Sequence, residues 1–251
     1  MPDYDFRAPR LFVEGPLYQG ASLRLNSAQA NYLQNVLRLR ANDGVLVFNG
    51  RDGEWQASIE GARRRELALA VGARTRMQTA AADLHYLFAP VKHLRLDYLA
   101  QKAVEMGAAR LQPVITAHVQ VTRINLERLR ANTIEAAEQC GILRLPEIGA
   151  PVAFEAMIAE RDPARVLVFC DEDAPVRDPI AALSAVRGAS NKAMPVAVLI
   201  GPQGGFSAEE RARLLALPNT VRLALGPRIL RADTAAVAAL ALVQVALGDW
   251  R

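Results

Sequence analysis

From Leu84 to Leu247, short β-branched apolar runs take turns with amphipathic stretches of helical period. The spacing predicts strands over Leu84–Ala89, Leu111–Thr116, Arg165–Phe169, Val196–Ile200 and Val221–Ala224. It predicts helices over Leu94–Met106, Asn125–Gln139, Pro179–Val186, Ala208–Leu217 and Asp233–Leu247, with Gly107 and Gly141 placed to end the first two. Strands that pair antiparallel need only tight turns between them, whereas a helix after each strand marks crossover connections. The expectation is therefore an α/β domain with a parallel sheet covered on both faces. In such a sheet ligands bind beyond the carboxyl ends of the strands, so chemistry is to be sought in the loops that leave them.

The first 80 residues have another texture. Short alternating runs at Arg10–Val13, Ser22–Leu25, Gly44–Phe48, Glu54–Ile59 and Glu66–Val71 are punctuated by Gly15-Pro16, Asn42-Asp43-Gly44 and the Asn49–Gly53 turn. One helical stretch, Ala28–Leu37, places Tyr32, Leu33, Val36 and Leu37 on one face behind the candidate N-caps Asn26 and Ser27. This reads as a small β-rich domain over residues 1–75, a polar linker over Arg74–Asp83, and a second domain over 83–251. Residues 1–80 hold eleven arginines against eight acids, most of the chain's net +4. A guanidinium fork suits phosphate and base edges, so Arg7, Arg10, Arg38, Arg40 and the run Arg63-Arg64-Arg65 are compatible with an RNA-facing accessory domain. Solvated surface arginines are the other explanation.

Composition narrows the classes further. At 251 residues and 51% hydrophobic, the chain has the makings of a sizeable core, and disorder is excluded. The longest apolar run, Ala235–Leu247 broken by Gln244, is too short to cross a bilayer. The beginning of the sequence carries Asp3 and Asp5 in place of an apolar signal core, which points to a cytoplasmic protein. Cys140 and Cys170 form no CxxC, and His85, His93 and His118 no HxxxH, so neither a metal site nor a disulfide framework is expected. Both cysteines read as small buried hydrophobes.

Two strand-to-helix loops stand out. In Val196–Glu210 a buried strand runs into Gly201-Pro202-Gln203-Gly204-Gly205 and then a helix whose start is marked by the S-x-x-E capping box of Ser207 and Glu210. Glycines there let backbone approach a ligand closely, although a merely tight turn has the same composition. No G-x-x-x-x-G-K-[ST] or G-x-G-x-x-G is present, which weakens nucleotide readings. The second loop, Leu223–Ala235, passes Gly226-Pro227 and Arg228 to Arg231 before the last helix, for which Asp233 or Thr234 is the candidate N-cap. Arginines beside a helix N-terminus suit an anionic substrate, while a local Arg231–Asp233 pair is the simpler alternative.

The paired motifs IGPQGGFSAEE (Ile200–Glu210) and LGPRILRADTA (Leu225–Ala235) resemble the signature of the SPOUT-class bacterial small-subunit ribosomal RNA (uracil-N3)-methyltransferases. The resemblance extends to Lys92–Arg95, Gln101–Gly107, Glu135–Gly141, Val36–Arg40 and Phe48–Gly50, and so to most of the chain. It implies a PUA-like RNA-binding domain joined to a parallel α/β domain with a C-terminal trefoil knot, acting as a homodimer without metal. The implied reaction moves a methyl group from S-adenosyl-L-methionine to N3 of one uridine, position 1498 of 16S ribosomal RNA in the small ribosomal subunit.

By the same resemblance the cofactor residues are Cys170, Asp171, Ile200, Gly201, Gln203, Gly204, Gly205, Leu225, Gly226, Ile229 and Leu230. Methyl transfer to an imide nitrogen needs alignment and a cation near the uracil carbonyl. Arg231 is assigned that role, with Arg228 in reserve and Asp233, or solvent, as base. Arg7, Arg10, Arg38, Arg40, Lys92, Arg95 and Arg144 are the candidate RNA contacts. The chain departs from the family pattern at Gln203, where Glu is usual, at Ala232-Asp233 in place of Thr-Glu, at Asn31-Tyr32, and at Ile142 in place of Arg. A non-catalytic RNA-binding assembly factor and a related knotted transfer RNA methyltransferase are the competing readings.

Overall fold

The computed structural model describes residues 7–63, 66–80, 82–121, 123–175, 178–187 and 194–250. Asp3, Asp5, Arg64, Arg65 and the side chains of Arg63 and His93, all named above, lie outside what is described. The chain forms two compact units. One runs to Ala80 and includes Ala137–Leu145, and the other comprises Ala81–Ala136 and Pro146–Arg251.

The first unit contains β1 (Arg10–Phe12), β2 (Ser22–Arg24), α1 (Ser27–Asn31), β3 (Gly44–Phe48), β4 (Glu54–Arg63) and β5 (Glu66–Arg76). They form one sheet in the order β1-β3-β4-β5-β2, parallel only between β1 and β3. Alternation sends Val45 and Val47, Ile59, and Leu69 and Val71 into one core with Leu11 and Leu33. The helix expected over Ala28–Leu37 is shorter and of two kinds. A capping box between Asn26 and Gln29 starts α1, and a π-helical turn over Tyr32–Val36 then buries Leu33. It delivers Arg38 in the left-handed region, at φ 57°. Strand β5 continues through Arg76, into the stretch read as linker, because Arg74 and Arg76 pair with Trp55 and Glu54.

Glu54 is the polar centre of this unit. Its buried carboxylate accepts from Arg10 at 3.1 Å, from Arg76 at 2.7 Å and from the Thr75 hydroxyl at 2.9 Å. Arg10 is therefore corrected as an RNA contact: its side chain is 2% exposed and committed to Glu54. Arg76 also donates to the Gly141 carbonyl at 2.9 Å, and Glu138 accepts from the Phe12 amide at 2.8 Å. These bonds explain why Ala137–Leu145 belong with this unit.

The second unit contains β6 (Leu84–Phe88), α2 (His93–Glu105), β7 (Arg110–Ile115), α3 (Leu126–Cys140, whose end lies in the first unit), β8 (Glu147–Ile148), β9 (Val152–Ala153) and α4 (Phe154–Glu160). It continues with β10 (Val166–Cys170), α5 (Pro179–Arg187), β11 (Val196–Ile200), α6 (Ala208–Ala216), β12 (Thr220–Leu223) and α7 (Ala232–Ala246). Every pairing is parallel, in the order β12-β10-β11-β6-β7-β8, with β9 also on β7. Strand β11 is buried along its whole length and β10 nearly so, as their unbroken apolar runs require.

One sheet face, with Tyr86, Val168 and Val198, packs on Leu99 and Ala103 of α2 and on Ala239 and Val243 of α7. The other, with Leu87, Leu167 and Leu199, packs on Phe154 and Met157 of α4, on Phe206, and on Leu214 of α6. Gly107 and Gly141, at φ 78° and 65°, end α2 and α3. Two expectations are corrected and three short elements are added. Helix α7 starts one residue earlier than predicted with Arg231 at its N-cap, making no side-chain cap hydrogen bond. Cys140, the last residue of α3, is exposed and not buried. The short elements β8, β9 and α4 have too few residues to produce a period. No helix among the described residues is long and apolar enough to cross a membrane.

Candidate active site

Strands β12, β10 and β11 are neighbours, so the loops at their carboxyl ends stand side by side. They enclose a cavity of about 330 Å³. Every residue assigned above to the cofactor lines it except Gly204. Ile200, Leu225, Ile229 and Leu230 supply apolar wall, and the glycine backbones supply the close approach. Gly205 and Gly226 have φ of 68° and 95°, in the region that favours glycine. At Gly201 the reason is space: a Cβ there would stand 3.0 Å from the Phe206 ring. These features suit a ligand with a flat apolar part held by backbone, and no phosphate-gripping motif is present.

The glycine loop is fixed from two sides. The Ser207 hydroxyl accepts from the Glu210 amide at 3.1 Å, and the Glu210 carboxylate accepts from the Ser207 amide at 2.9 Å, completing the predicted capping box. The second Glu210 oxygen accepts from the Ala117 amide, in the loop after β7, at 2.7 Å. In that same loop His118 Nδ1 lies 3.2 Å from the carbonyls of both Gly204 and Gly205. Gly204 thus faces the loop after β7 instead of the cavity. Neither Ala117 nor His118 is marked in the sequence, because one acts through its backbone and the other lacks any motif.

Asp171, read as a cofactor residue, has a buried carboxylate shared between Arg211 of α6 at 2.9 Å and Arg222 of β12 at 2.8 Å. Arg211 also binds Asp173, and that hydrogen bond holds the Asp173 carboxyl below its ordinary range. Beside it, burial and then the Asp171 charge push the Cys170 thiol up to about 12, so at neutral pH Cys170 presents a thiol to the cavity. Among the described residues the Tyr86 hydroxyl and Thr116 Oγ1 are buried without a hydrogen-bond partner, and burial pushes the Tyr86 hydroxyl far above its usual range.

Arg228 and Arg231 are exposed and line the cavity. Asp233 does not line it. Its Oδ1 accepts from the Thr234 amide at 2.9 Å and its Oδ2 lies 3.7 Å from Arg95 Nε, so the partner of Asp233 is Arg95, not Arg231. Of the other candidate RNA contacts, Lys92 is exposed at the N-cap of α2. Arg7, Arg38, Arg40 and Arg144 are exposed and all belong to the first unit. Among the described residues no group of three or more His, Cys, Asp or Glu is placed to hold a metal ion.

A second cavity, of about 320 Å³, involves the first halves of the strands, with His85, Arg110, Met157 and Arg165 in its wall. It lies at the end of a parallel sheet where ligands do not normally bind. Its cations are occupied: Arg165 by Asp83 at 2.7 Å, Arg161 by the Pro218 carbonyl at 2.6 Å, and Arg110 by Gln112 at 3.0 Å. Burial, followed by the Arg165 charge, lowers the His85 pKa and favours its neutral form.

Comparison with known proteins agrees with this layout. Residues 78–244 match the model of an RNA methyltransferase domain, and residues 25–71 that of an RNA methyltransferase PUA domain. The chain is 29% identical over 94% of its length to a ribosomal RNA small subunit methyltransferase E of Rickettsia conorii, covering 95% of that protein. It is 30% identical over 96% of its length to the Synechocystis protein of the same name, covering 78% of it. A Legionella pneumophila protein solved with the bound cofactor SAM superposes with a TM-score of 0.77, at 29% identity, over 96% of this chain and 98% of that one.

Proposed function

Because the chain belongs to the ribosomal RNA small subunit methyltransferase E family, we propose that it is an S-adenosyl-L-methionine-dependent enzyme that methylates 16S ribosomal RNA, at N3 of one uridine, position 1498. The observation that carries this reading is the cavity at the ends of β10, β11 and β12, whose lining includes each cofactor residue implied by the resemblance except Gly204. The SAM-bound Legionella pneumophila protein supports the choice of cofactor. When bound, S-adenosyl-L-methionine supplies an electrophilic methyl group on a sulfonium.

The chain's own residues would then do the rest. Ile200, Leu225 and Leu230 hold the flat part of the cofactor, and the backbone at Gly201, Gly205 and Gly226 reads its polar edges. Arg231 sits at the N-cap of α7, where its guanidinium and the helix amides both favour negative charge. In the proposed mechanism Arg231 stabilises the charge that develops on a uracil carbonyl as the imide loses its proton, with Arg228 as the second cation. Solvent takes that proton, since Asp233 is engaged by Arg95 and lies outside the cavity lining.

The first unit, which we take with the 1–75 boundary as a PUA-like RNA-binding domain, offers Arg7, Arg38, Arg40 and Arg144 to phosphate, and the 83–251 methyltransferase domain separately offers Lys92. We read the loops at β10, β11 and β12 as the wrapping of a trefoil knot. What supports it is the strand order β12-β10-β11-β6, in which β12 lands beside β10 and the chain then returns as α7 against α2 and β11. A cytoplasmic homodimer completes the reading. Leu94 and Tyr98 on α2 and Val245 on α7 are large apolar side chains left exposed on the second unit, in keeping with a second copy covering them.

Incubating the protein with labelled S-adenosyl-L-methionine and undermethylated small subunits, then mapping modified nucleosides by mass spectrometry, tests the proposal. N3-methyluridine at one decoding-region position is the expected result. Absence of both methylation and cofactor binding would favour the non-catalytic assembly factor, and methylated transfer RNA the related knotted enzymes.

A further inference from the structure

Asp171 lines the cavity, yet each of its polar groups is satisfied by protein. Its amide donates to the Leu223 carbonyl at 3.0 Å and its carbonyl accepts from the Ala174 amide at 3.1 Å. One carboxylate oxygen accepts from Arg211 at 2.9 Å and from the Asp173 amide at 3.2 Å, and the other from Arg222 at 2.8 Å. Every oxygen and the amide of Asp171 thus already has a protein partner, and its carboxylate charge is matched by two guanidinium groups. The three residues come from three different places: Asp171 opens the loop after β10, Arg211 lies in the first turns of α6 just beyond the glycine loop, and Arg222 lies in β12 three residues before Leu225.

We infer that Asp171 is a positioning residue, whose buried carboxylate holds the three loops of the cavity in register through Arg211 and Arg222. The inference rests on the reading that this cavity takes S-adenosyl-L-methionine. A buried carboxylate is a weak device for stability alone, because a well-packed apolar replacement is often neutral or better. Its directional demand is what an apolar residue lacks: two guanidinium forks must arrive at fixed angles on two oxygens. With a side chain 1% exposed, Asp171 keeps that demand screened from water. Apolar packing fixes the strands under the loops, but the loops themselves are held by only a few hydrogen bonds. Changing this carboxylate is therefore felt at Gly201–Gly205 and at Leu225–Leu230, neither of which Asp171 contacts through its side chain.

The experiment compares wild type with Asp171→Asn, Arg222→Ala and Arg222→Lys in the full-length protein. S-adenosyl-L-methionine affinity is measured by calorimetry, and amide hydrogen exchange is followed in the ligand-free protein. The expected result for Asp171→Asn and Arg222→Ala is a cofactor Kd raised about tenfold, as for other couplings carried through packed networks. Faster exchange should accompany it in both the 201–205 and 225–230 segments, with the sheet and the first unit unchanged, and Arg222→Lys should recover part of both effects. Exchange that rises only at residues 170–174, or rises everywhere, overturns the inference, as does an unchanged Kd. Should Asp171→Asn fail to fold, Arg222→Ala carries the test, since its side chain is 22% exposed. If wild type binds no S-adenosyl-L-methionine, the functional reading fails, and the exchange pattern of the ligand-free variants alone decides the positioning role.

Discussion

Arg95 Nε lies 3.7 Å from Asp233 Oδ2, which ties the first turn of α2 to the first turn of α7. A carboxylate so engaged, with its other oxygen on the Thr234 amide and its residue outside the cavity lining, is out of place to take a proton from a substrate in the cavity. Asp233→Asn should therefore leave kcat within about tenfold of wild type and the pH–rate profile unchanged in shape, where loss of a general base costs about 10²–10⁴-fold. Steady-state kinetics from pH 6 to 9 decide it, and a loss in the larger range would restore Asp233 as the base.

Arg231 has the opposite expectation. Its guanidinium lines the cavity and is exposed, so removing it disturbs no core. Arg231→Ala should lower kcat by about 10²–10³-fold, the usual effect of losing one group aimed at developing charge. Cofactor affinity by calorimetry should stay within about twofold, since an interaction made only in the transition state changes turnover and not ground-state binding. Parallel loss of both would mean that Arg231 shapes the cavity instead.

Much of the second unit is legible in the chain, because parallel strands and crossover helices impose long, regular periods. Val196–Ile200 emerges with the predicted ends, and the Ser207–Glu210 capping box forms as its spacing requires. What escapes is of two kinds. Elements of two to seven residues, β8, β9 and α4, are too short for a period and are defined by long-range contacts, β8 and β9 by pairing with β7 and α4 by burying Phe154 and Met157. Long-range polar contacts leave no local trace: nothing around Arg10 distinguishes an arginine buried on Glu54 from an exposed one such as Arg38, and nothing around Asp171 announces two arginine partners 40 and 51 residues away. Local motifs thus find the cavity, while the residues that hold it are visible only in three dimensions.

Glu54 makes the first unit acid-sensitive. Burial alone raises its pKa, but the hydrogen bonds from Arg76 and Thr75 and the arginine charges outweigh that, and the net shift is downward. A folded-state pKa below the unfolded value contributes stability that is present above the unfolded value of 4.5 and is lost as pH falls through the folded one. Glu54→Gln should flatten the pH dependence of unfolding below pH 4.5. Arg76→Ala should destabilise by about 1.5–3 kcal/mol, the usual loss for a hydrogen bond to a charged group, because Arg10 and Thr75 still hold Glu54. Chemical denaturation followed between pH 3 and 7 measures both, and an unchanged acid limb in Glu54→Gln would remove Glu54 as its source.

The two cysteines differ in environment, and their chemistry should differ accordingly. Cys140 is exposed, while burial and the Asp171 charge push the Cys170 thiol from 9.0 up to about 12. Only the thiolate is nucleophilic, and at pH 8 a thiol with a pKa near 12 holds about a thousandfold less thiolate than one at 9. Alkylation of the native protein followed by peptide mass spectrometry should label Cys140 first and Cys170 only after denaturation. The sign for stability runs with it. Because the folded state holds the Cys170 proton to higher pH than the unfolded state does, the unfolded state loses it first. Stability from this group is accordingly complete below pH 9 and declines as pH rises toward 12. Cys170→Ser should remove that alkaline decline, and because the thiol stays protonated at working pH, it should lower methyl transfer by no more than the change in cavity packing does. Rapid labelling of Cys170 in the native protein at pH 8 would mean that its thiol is ionised, and would reopen its role in the chemistry.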